Sequence, residues 1–237
     1  MITYVISTIR HFPLIIQTIY SIKALGSHDY EILVVSPHDY TNECNEIENV
    51  RYIVDDRNLG SVGAYNKGVK EAKGDWVFLL SDDFSLMNIN IEEFQDFLNS
   101  ERMQKKDFKM FSPHPRSGHL LDGVSYETPI HEPYQVMHFP CIAKETINDK
   151  LGGVIWNERF RHGYVDHWLG YYASKFETFE PYNYNLFKDP ADSFIRLNED
   201  QYRNHTYDNH DYNTLDELYK EFLENENLPY SALRTGP

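Results

Sequence analysis

Two aspartates that follow an apolar run are the residues in this chain best placed to do chemistry. The run Asp75–Leu80 (DWVFLL) reads as a buried strand and leads directly into Ser81-Asp82-Asp83. In open α/β sheets, ligands sit beyond the carboxyl ends of the parallel strands. Three other strand-like runs end on polar residues. Thr8 and Arg10 follow Ile2–Ser7 (ITYVIS), Ser36 to Asp39 follow Tyr30–Val35 (YEILVV), and Asp55 to Asn58 follow Val50–Val54 (VRYIV). These four segments are expected to converge on one crevice. Adjacent carboxylates repel each other, and a divalent cation, which prefers hard oxygen ligands, offsets that repulsion. The competing reading is structural: an aspartate capping the N-terminus of a helix that follows.

The elements that position these residues alternate in type. Pro13–Leu25 (PLIIQTIYSIKAL) carries apolar residues at Ile15, Ile16, Ile19, Ile22 and Leu25, a helical spacing with Pro in the first turn. Ser61–Lys73 reads as a second helix, with Gly74 marking its end. Strands alternating with helices imply βαβ units, and four strands of the buried type support a parallel sheet covered on both faces. Beyond Phe84 the regularity fades. Ile91–Leu98 and Val165–Phe176 are expected to be helices, Phe108–Phe111 and Val136–Ala143 strands, and Leu215–Leu223 a closing helix. Pro113–Pro133 reads as a long loop or hairpin, and the polar stretch Asp189–Asn213 shows little periodicity. Without repeats or a low-complexity linker, the chain is read as one domain over residues 1–237.

Bulk composition narrows the partners. Lys and Arg number 22 against 37 Asp and Glu, a formal charge of −15, so the chain repels nucleic acid and anionic membranes unless a basic cluster overrides the total. No such cluster is present, and the expectation is no nucleic-acid partner. Two cysteines, Cys44 and Cys141, form no disulfide framework. No apolar run approaches the ~20 residues that a spanning helix needs, and MITYVISTIRHF lacks the form of a signal peptide. The expectation is a cytoplasmic protein with no integral membrane segment. The 18 Tyr and 14 Phe suit core packing first and sugar or base stacking second.

The string Asn58-Leu59-Gly60 … Asn66 … Gly68 … Ala72 … Gly74-Asp75 … Leu80-Ser81-Asp82-Asp83, together with STIRHFPLIIQTIYSI, YEILVVS and FRHGYVDHWLGYY, resembles the glycosyltransferases of the GT-A fold, close to the family 2 type. The resemblance covers roughly Ile2 to Phe176. It implies an α/β fold with a Rossmann-like, mostly parallel sheet flanked by helices, in which 1–84 form the nucleotide-sugar-binding half and 85–237 a smaller acceptor-binding half with a C-terminal closing segment. It also implies roles for individual residues. Asp82 matches the position that contacts the ribose of a nucleotide-sugar, and Asp83 the metal ligand of the DxD motif, written here S-D-D, which bridges Mn or Mg to the diphosphate. Thr8 and Arg10 fall where the family contacts nucleobase and ribose, and Arg57 and Asn58 on the segment near the base and donor. Where the family often has an aspartate that reads uracil, this chain has Ser36, with Asp39 three residues on, which leaves the nucleobase open. Asp166 falls where inverting members carry the catalytic base; the usual acidic pair is here Val165-Asp166.

The implied activity is hexosyl-type transfer from an NDP-sugar, UDP-sugar favoured, to a hydroxyl of a glycan, glycoconjugate or protein acceptor, in glycan biosynthesis. Asp166 would accept the acceptor proton, and a single displacement would invert the anomeric centre. The first-turn alternative for Asp166 is a residue favoured by the helix dipole. His205, with His210 as its alternative, is the candidate third metal ligand, against the reading of a surface polar loop. His162 and His167 flank Asp166 and are candidate acceptor contacts; His114, His119 and His131 would form an acceptor-side wall. Trp156, Trp168 and Tyr164 could stack on sugar, although Trp168 also fits the apolar stripe of its helix. Two rivals stand: a nucleotidyltransferase of similar sheet, for which STIRHF lacks a glycine-rich triphosphate loop, and a non-catalytic nucleotide- or carbohydrate-binding module.

Overall fold

The computed structural model describes residues 1–56, 60–86, 89–111, 139–160, 165–173 and 176, with 167 and 171 as backbone only. It further describes the backbone of 117–120, 125–127 and 194–196, and residues 214, 217, 218, 220 and 221. The elements run β1 (Ile2–Ser7), α1 (Phe12–Lys23), β2 (Tyr30–Ser36), α2 (Thr41–Asn45), β3 (Val50–Val54), α3 (Gly60–Glu71) and β4 (Trp76–Ser81). They continue β5 (Phe84–Leu86), α4 (Ile91–Asn99), α5 (Glu101–Gln104), β6 (Met110–Phe111), β7 (Ser117–Leu120), β8 (Ser125–Glu127), β9 (Cys141–Ala143), α6 (Lys144–Leu151), α7 (Val165–Ala173) and β10 (Phe194–Arg196).

Six strands form one sheet in the order β3-β2-β1-β4-β9-β6. The first four are parallel, as the alternating elements predict, and β9 and β6 join antiparallel. Period-two alternation sends each strand's side chains to two apolar layers. On one face Tyr4, Ile6, Ile32 and Phe78 pack with Ile15, Ile19 and Ile22 of α1 and Phe94 of α4. On the other, Val5, Leu33, Val35 and Leu79 pack with Val62 and Val69 of α3, Ile147 of α6 and Leu169 and Ala173 of α7. Each large aliphatic side chain buried this way contributes about 1.5–3 kcal/mol. Coverage on both faces is why the central positions of β1, β2 and β4 are apolar, with polar residues kept to the strand ends.

The amino ends of the strands are tied by a buried carboxylate. Glu31 Oε1 accepts from the Thr3 hydroxyl (2.8 Å) and the Lys73 N–H (2.6 Å), and Oε2 accepts from Arg51 Nη2 (2.9 Å). The Thr3 hydroxyl in turn accepts from Gly74 N–H at 2.8 Å. Burial alone would raise the Glu31 pKa, but the hydrogen bonds from Lys73, Thr3 and Arg51 outweigh it and hold it below its ordinary 4.5.

Several sequence expectations need correction. Helix α3 ends at Glu71, and Gly74 is not its left-handed cap. Gly74 is required instead because a Cβ there would lie 2.7 Å from the Thr3 backbone nitrogen. The strand expected over Phe108–Phe111 is only Met110–Phe111; of Val136–Ala143, Cys141–Ala143 is strand and 136–138 lie outside the described residues. The Asp189–Asn213 stretch contains β10, which joins a second sheet of order β5-β10-β7-β8. Within Pro113–Pro133, β7 and β8 pair antiparallel, as a hairpin does. Helices α2 and α5 have five and four residues, too short to carry a periodic signal.

Two predictions follow from these contacts. A Cβ at Gly68 would meet Val5 Cγ1 at 2.4 Å and Val35 Cγ2 at 3.0 Å, both on stiff β-branched side chains in the sheet core. Gly68→Ala will lower stability by about 1–3 kcal/mol despite the better helix propensity of Ala, read as a lower urea midpoint at unchanged m. The Glu31 pKa is depressed on folding, so its contribution is complete above about pH 4.5 and is lost as pH falls through the folded value. Urea midpoints measured from pH 7 to 3 will therefore fall less steeply in Glu31→Gln than in the wild-type chain.

Candidate functional site

The register of the central strands brings the site together. Ser7 of β1 pairs with Ser81 of β4, so the residues that follow each strand, Thr8 and Asp82, emerge side by side. The Thr8 hydroxyl donates to Asp82 Oδ2 at 2.6 Å. The Arg10 guanidinium forms an ion pair with Asp82 Oδ1 through Nη1, and its Nη2 lies 3.8 Å from Asp83 Oδ2. The Ser81 hydroxyl donates to Asp83 Oδ1. The side chains of Arg10, Asp82 and Asp83 are each 9% exposed.

Two like charges at 4 Å repel by about 4 kcal/mol at an effective dielectric near 20. A divalent cation was the expected offset to that repulsion; within the protein, Arg10 supplies the positive charge. The helix-cap reading of the aspartates fails, because the next element is β5, a strand.

The turn that carries the aspartates is held from three sides. The Thr18 hydroxyl on α1 donates to the Asp82 carbonyl at 3.1 Å, and the Leu86 N–H donates to Ser21 Oγ on the same helix at 3.0 Å. On the opposite face of the sheet, the Tyr65 hydroxyl of α3 donates to the Leu80 carbonyl at 2.8 Å. Burial first, and then the Asp83 charge, push the Tyr65 pKa up, so this hydroxyl stays protonated as a donor. Arg10 is anchored through its backbone: its N–H donates to the Thr8 hydroxyl at 2.9 Å, and the Tyr40 hydroxyl donates to its carbonyl.

At the same end of the sheet, across β1 from the aspartate turn, the ends of β2 and β3 frame an open pocket of about 400 Å³ lined by Pro37, Asp39, Thr41, Tyr52 and Val54. Ser36 is buried beneath it. The Ser36 hydroxyl accepts from the His38 N–H (3.1 Å), and its carbonyl accepts from the Tyr52 hydroxyl (3.0 Å) and the Asp55 N–H (2.7 Å). Asp39 is exposed, and the Thr41 hydroxyl and N–H bonded to its Oδ1 keep its pKa low. The loops after β1 and β2 are joined by His38, which stacks on His11 (centroids 5.7 Å apart) and donates from Nε2 to the Ile9 carbonyl at 3.0 Å. A second cavity, of about 280 Å³, lies among Met1, Asp75, Gln95, Lys109 and Lys144, at the amino ends of the strands and so at the other end of the sheet from the aspartates.

Asp166 is half-buried in the first turn of α7, whose Val165, Leu169 and Ala173 enter the α3-side layer; Trp168 packs on that layer as well. The segment leading to this helix is fixed by Asn66. Its side chain donates to the Trp156 carbonyl (2.8 Å) and accepts from the N–H groups of Ile155 (3.2 Å) and Trp156 (3.0 Å). Thr8, Arg10, Asp82 and Asp83 are thus brought together, Ser36 and Asp39 belong to the adjoining pocket, and Asp166 sits on a separate layer. Arg57, Asn58, His114, His131, His162, Tyr164, His205 and His210 lie outside the described residues, and His119 and His167 are described as backbone only. Among the described residues, no three His, Cys, Asp or Glu side chains group as a metal site, and no helix is long and apolar enough to cross a membrane.

Sequence reasoning assigned no role to Thr18, Tyr40, Tyr65 or Asn66. For Thr18 and Asn66 a signal existed: each is a polar residue on the buried stripe of its helix, Thr18 beside Ile15, Ile19 and Ile22, and Asn66 beside Val62 and Val69. Asn66→Ala will leave two N–H groups and one carbonyl of 155–156 without their partner, at a cost of about 1–3 kcal/mol for each buried group left unsatisfied. Hydrogen exchange at Ile155 and Trp156 will accelerate in this variant, while exchange in β1 and β2 changes little.

Residues 3–104 match the family model described as Glycosyl transferase family 2. No curated protein sequence matches the chain. Among solved structures, S. aureus TarS 1-349 superposes with a TM-score of 0.56 at 12% identity, covering 83% of this chain and 60% of that one. The same TarS fragment in complex with UDP gives 0.56 at 12% identity, over 84% of this chain and 60% of that one. S. aureus TarS gives 0.60 at 13% identity, over 94% of this chain and 39% of that one. The chain therefore spans about 60% of the length of TarS 1-349. Residues 3–104 thus resemble glycosyl transferase family 2, and the mostly parallel sheet with its flanking helices is the GT-A fold that the chain shares with these structures.

Proposed function

We propose that this protein is a metal-dependent, inverting glycosyltransferase that moves a sugar from an NDP-sugar, with a UDP-sugar favoured, to an acceptor hydroxyl of a glycan, glycoconjugate or protein. The observation that carries this reading is the joining of Thr8, Arg10, Asp82 and Asp83 at the carboxyl ends of β1 and β4, at the same end of the sheet as the pocket framed by β2 and β3. The family match favours it over a nucleotidyltransferase. The TarS neighbour solved with UDP supports uridine as the base.

The residues fit a hard divalent cation. Mg and Mn are commonly held by one or two carboxylates plus substrate phosphates, so the Asp82–Asp83 turn suffices without a third protein ligand. Asp83 would hold the ion, with His205 as a candidate further ligand, and the ion would neutralise charge developing on the leaving diphosphate. Asp82 would bind the ribose, with Thr8 and Ser81 keeping the two carboxylates oriented. The pocket of Pro37, Asp39, Thr41, Tyr52 and Val54 would take the base, its Tyr52 ring offering an apolar face. Arg57 and Asn58 would border the donor. In the transfer, the acceptor oxygen bonds to the anomeric carbon, the bond from that carbon to the diphosphate oxygen breaks, and the acceptor proton passes to the Asp166 carboxylate. A single displacement inverts the centre.

Calorimetric titration of UDP, GDP and dTDP, with and without Mn, tests the donor site. UDP is expected to bind with a Mn-dependent component that is absent in Asp83→Ala; no binding of any nucleotide would sink the proposal. Asp166→Asn is expected to keep UDP affinity while turnover falls by about 100-fold or more. Unchanged turnover would remove Asp166 from its assigned role.

A further inference from the structure

We propose that Arg10 is a resident counter-cation that keeps the Asp82–Asp83 turn closed to a free divalent ion, so that the metal binds only together with a nucleoside diphosphate. The inference rests on the reading of Asp83 as a metal ligand. It gives Arg10 a task separate from contact with base or ribose: it sets the order in which metal and donor arrive.

The argument follows from how the carboxylate oxygens are committed. Asp82 Oδ1 is paired with Arg10, and Asp82 Oδ2 accepts from Thr8 at 2.6 Å. Asp83 Oδ1 accepts from Ser81, and Asp83 Oδ2 faces Arg10 Nη2 at 3.8 Å. A bare cation entering this turn meets two carboxylates whose charge is already halved by Arg10 and whose oxygens are engaged by Thr8 and Ser81, with a guanidinium within 4 Å of Asp83 to repel it. With all three side chains 9% exposed, little water intervenes to screen that repulsion.

A diphosphate reverses the balance. It brings negative charge and several acceptor oxygens, and a guanidinium matches phosphate oxygens bidentately. Arg10 then trades the Asp83 contact for phosphate, and Asp83 becomes available to the metal. The backbone of Arg10 can stay in place during this exchange, because Thr8 and Tyr40 hold its N–H and its carbonyl independently of the guanidinium.

The test is Mn titration of the whole chain, followed by loss of the free-ion electron paramagnetic resonance signal, with and without UDP. Wild-type protein is expected to bind Mn only when UDP is present. Arg10→Gln is expected to bind Mn without UDP about tenfold or more tightly than wild type. Adding Asp83→Asn to it should abolish the gain, and Arg10→Lys, which keeps the charge, should stay silent without UDP. Wild-type protein that binds Mn alone as tightly as with UDP overturns the proposal, and this comparison needs no variant to fold. An Arg10→Gln protein that folds, by circular dichroism, yet gains no Mn affinity also overturns it. Failure of wild type to bind Mn even with UDP would instead count against the metal-dependent reading of the donor site, while the nucleotide-free Arg10→Gln titration still decides the role of Arg10.

Discussion

The ion pair between Arg10 and Asp82, with Asp83 beside it, is the interaction on which the rest of this site depends. A buried carboxylate pair without a counter-charge would be protonated or would force the turn open. Here one guanidinium faces both carboxylates, and the hydroxyls of Thr8 and Ser81 take further oxygens. Breaking a buried pair from one side leaves an uncompensated charge, which is why such arrangements are rigid even where their net contribution to stability is small.

That pairing exists only because the sheet has one register. Ser7 opposite Ser81 puts Thr8 next to Asp82, and a slip of one residue would send every apolar side chain of β1 to the wrong layer. The hydrophobic layers therefore hold the polar site in alignment without touching it. The strands are clamped at both ends by polar networks: Glu31 with Thr3, Arg51 and Lys73 at the amino ends, and Arg10 with the aspartates at the carboxyl ends. The carboxyl-end network lies at the end of the sheet to which the geometry of a parallel sheet directs ligands, and the ends of β2 and β3 there frame an open pocket.

The second half of the chain is attached to this framework by a few well-defined contacts. Strands β9 and β6 extend the sheet beyond β4. Asn66, buried on α3, satisfies the backbone of 155–156 and so sets where the segment before α7 begins. The helix that carries Asp166 is then seated by Val165, Leu169 and Ala173 in the layer that α3 also covers. The sheet, α3 and α7 thus share one apolar layer.

The sequence by itself determined the alternating βαβ plan, the four parallel strands and the strand-end position of Thr8, Arg10, Asp82 and Asp83. Each of those rests on local information: apolar runs, helical spacing and the polar residues that end a run. It also carried the family resemblance, most specific in the string from Asn58 to Asp83. The short elements were not legible, since β5, β10 and α5 span only three or four residues each and have no period to read. Nor was the partner of the aspartates. Arg10 and Asp82 are separated by 72 positions, and only the register of β1 against β4 brings them together. The same holds for Tyr65 under Leu80 and Asn66 under Trp156, whose partners are backbone atoms that carry no side-chain signature. Tertiary structure alone decided that an arginine balances the carboxylates, because that choice depends on charges placed within a few ångströms by elements far apart in the chain.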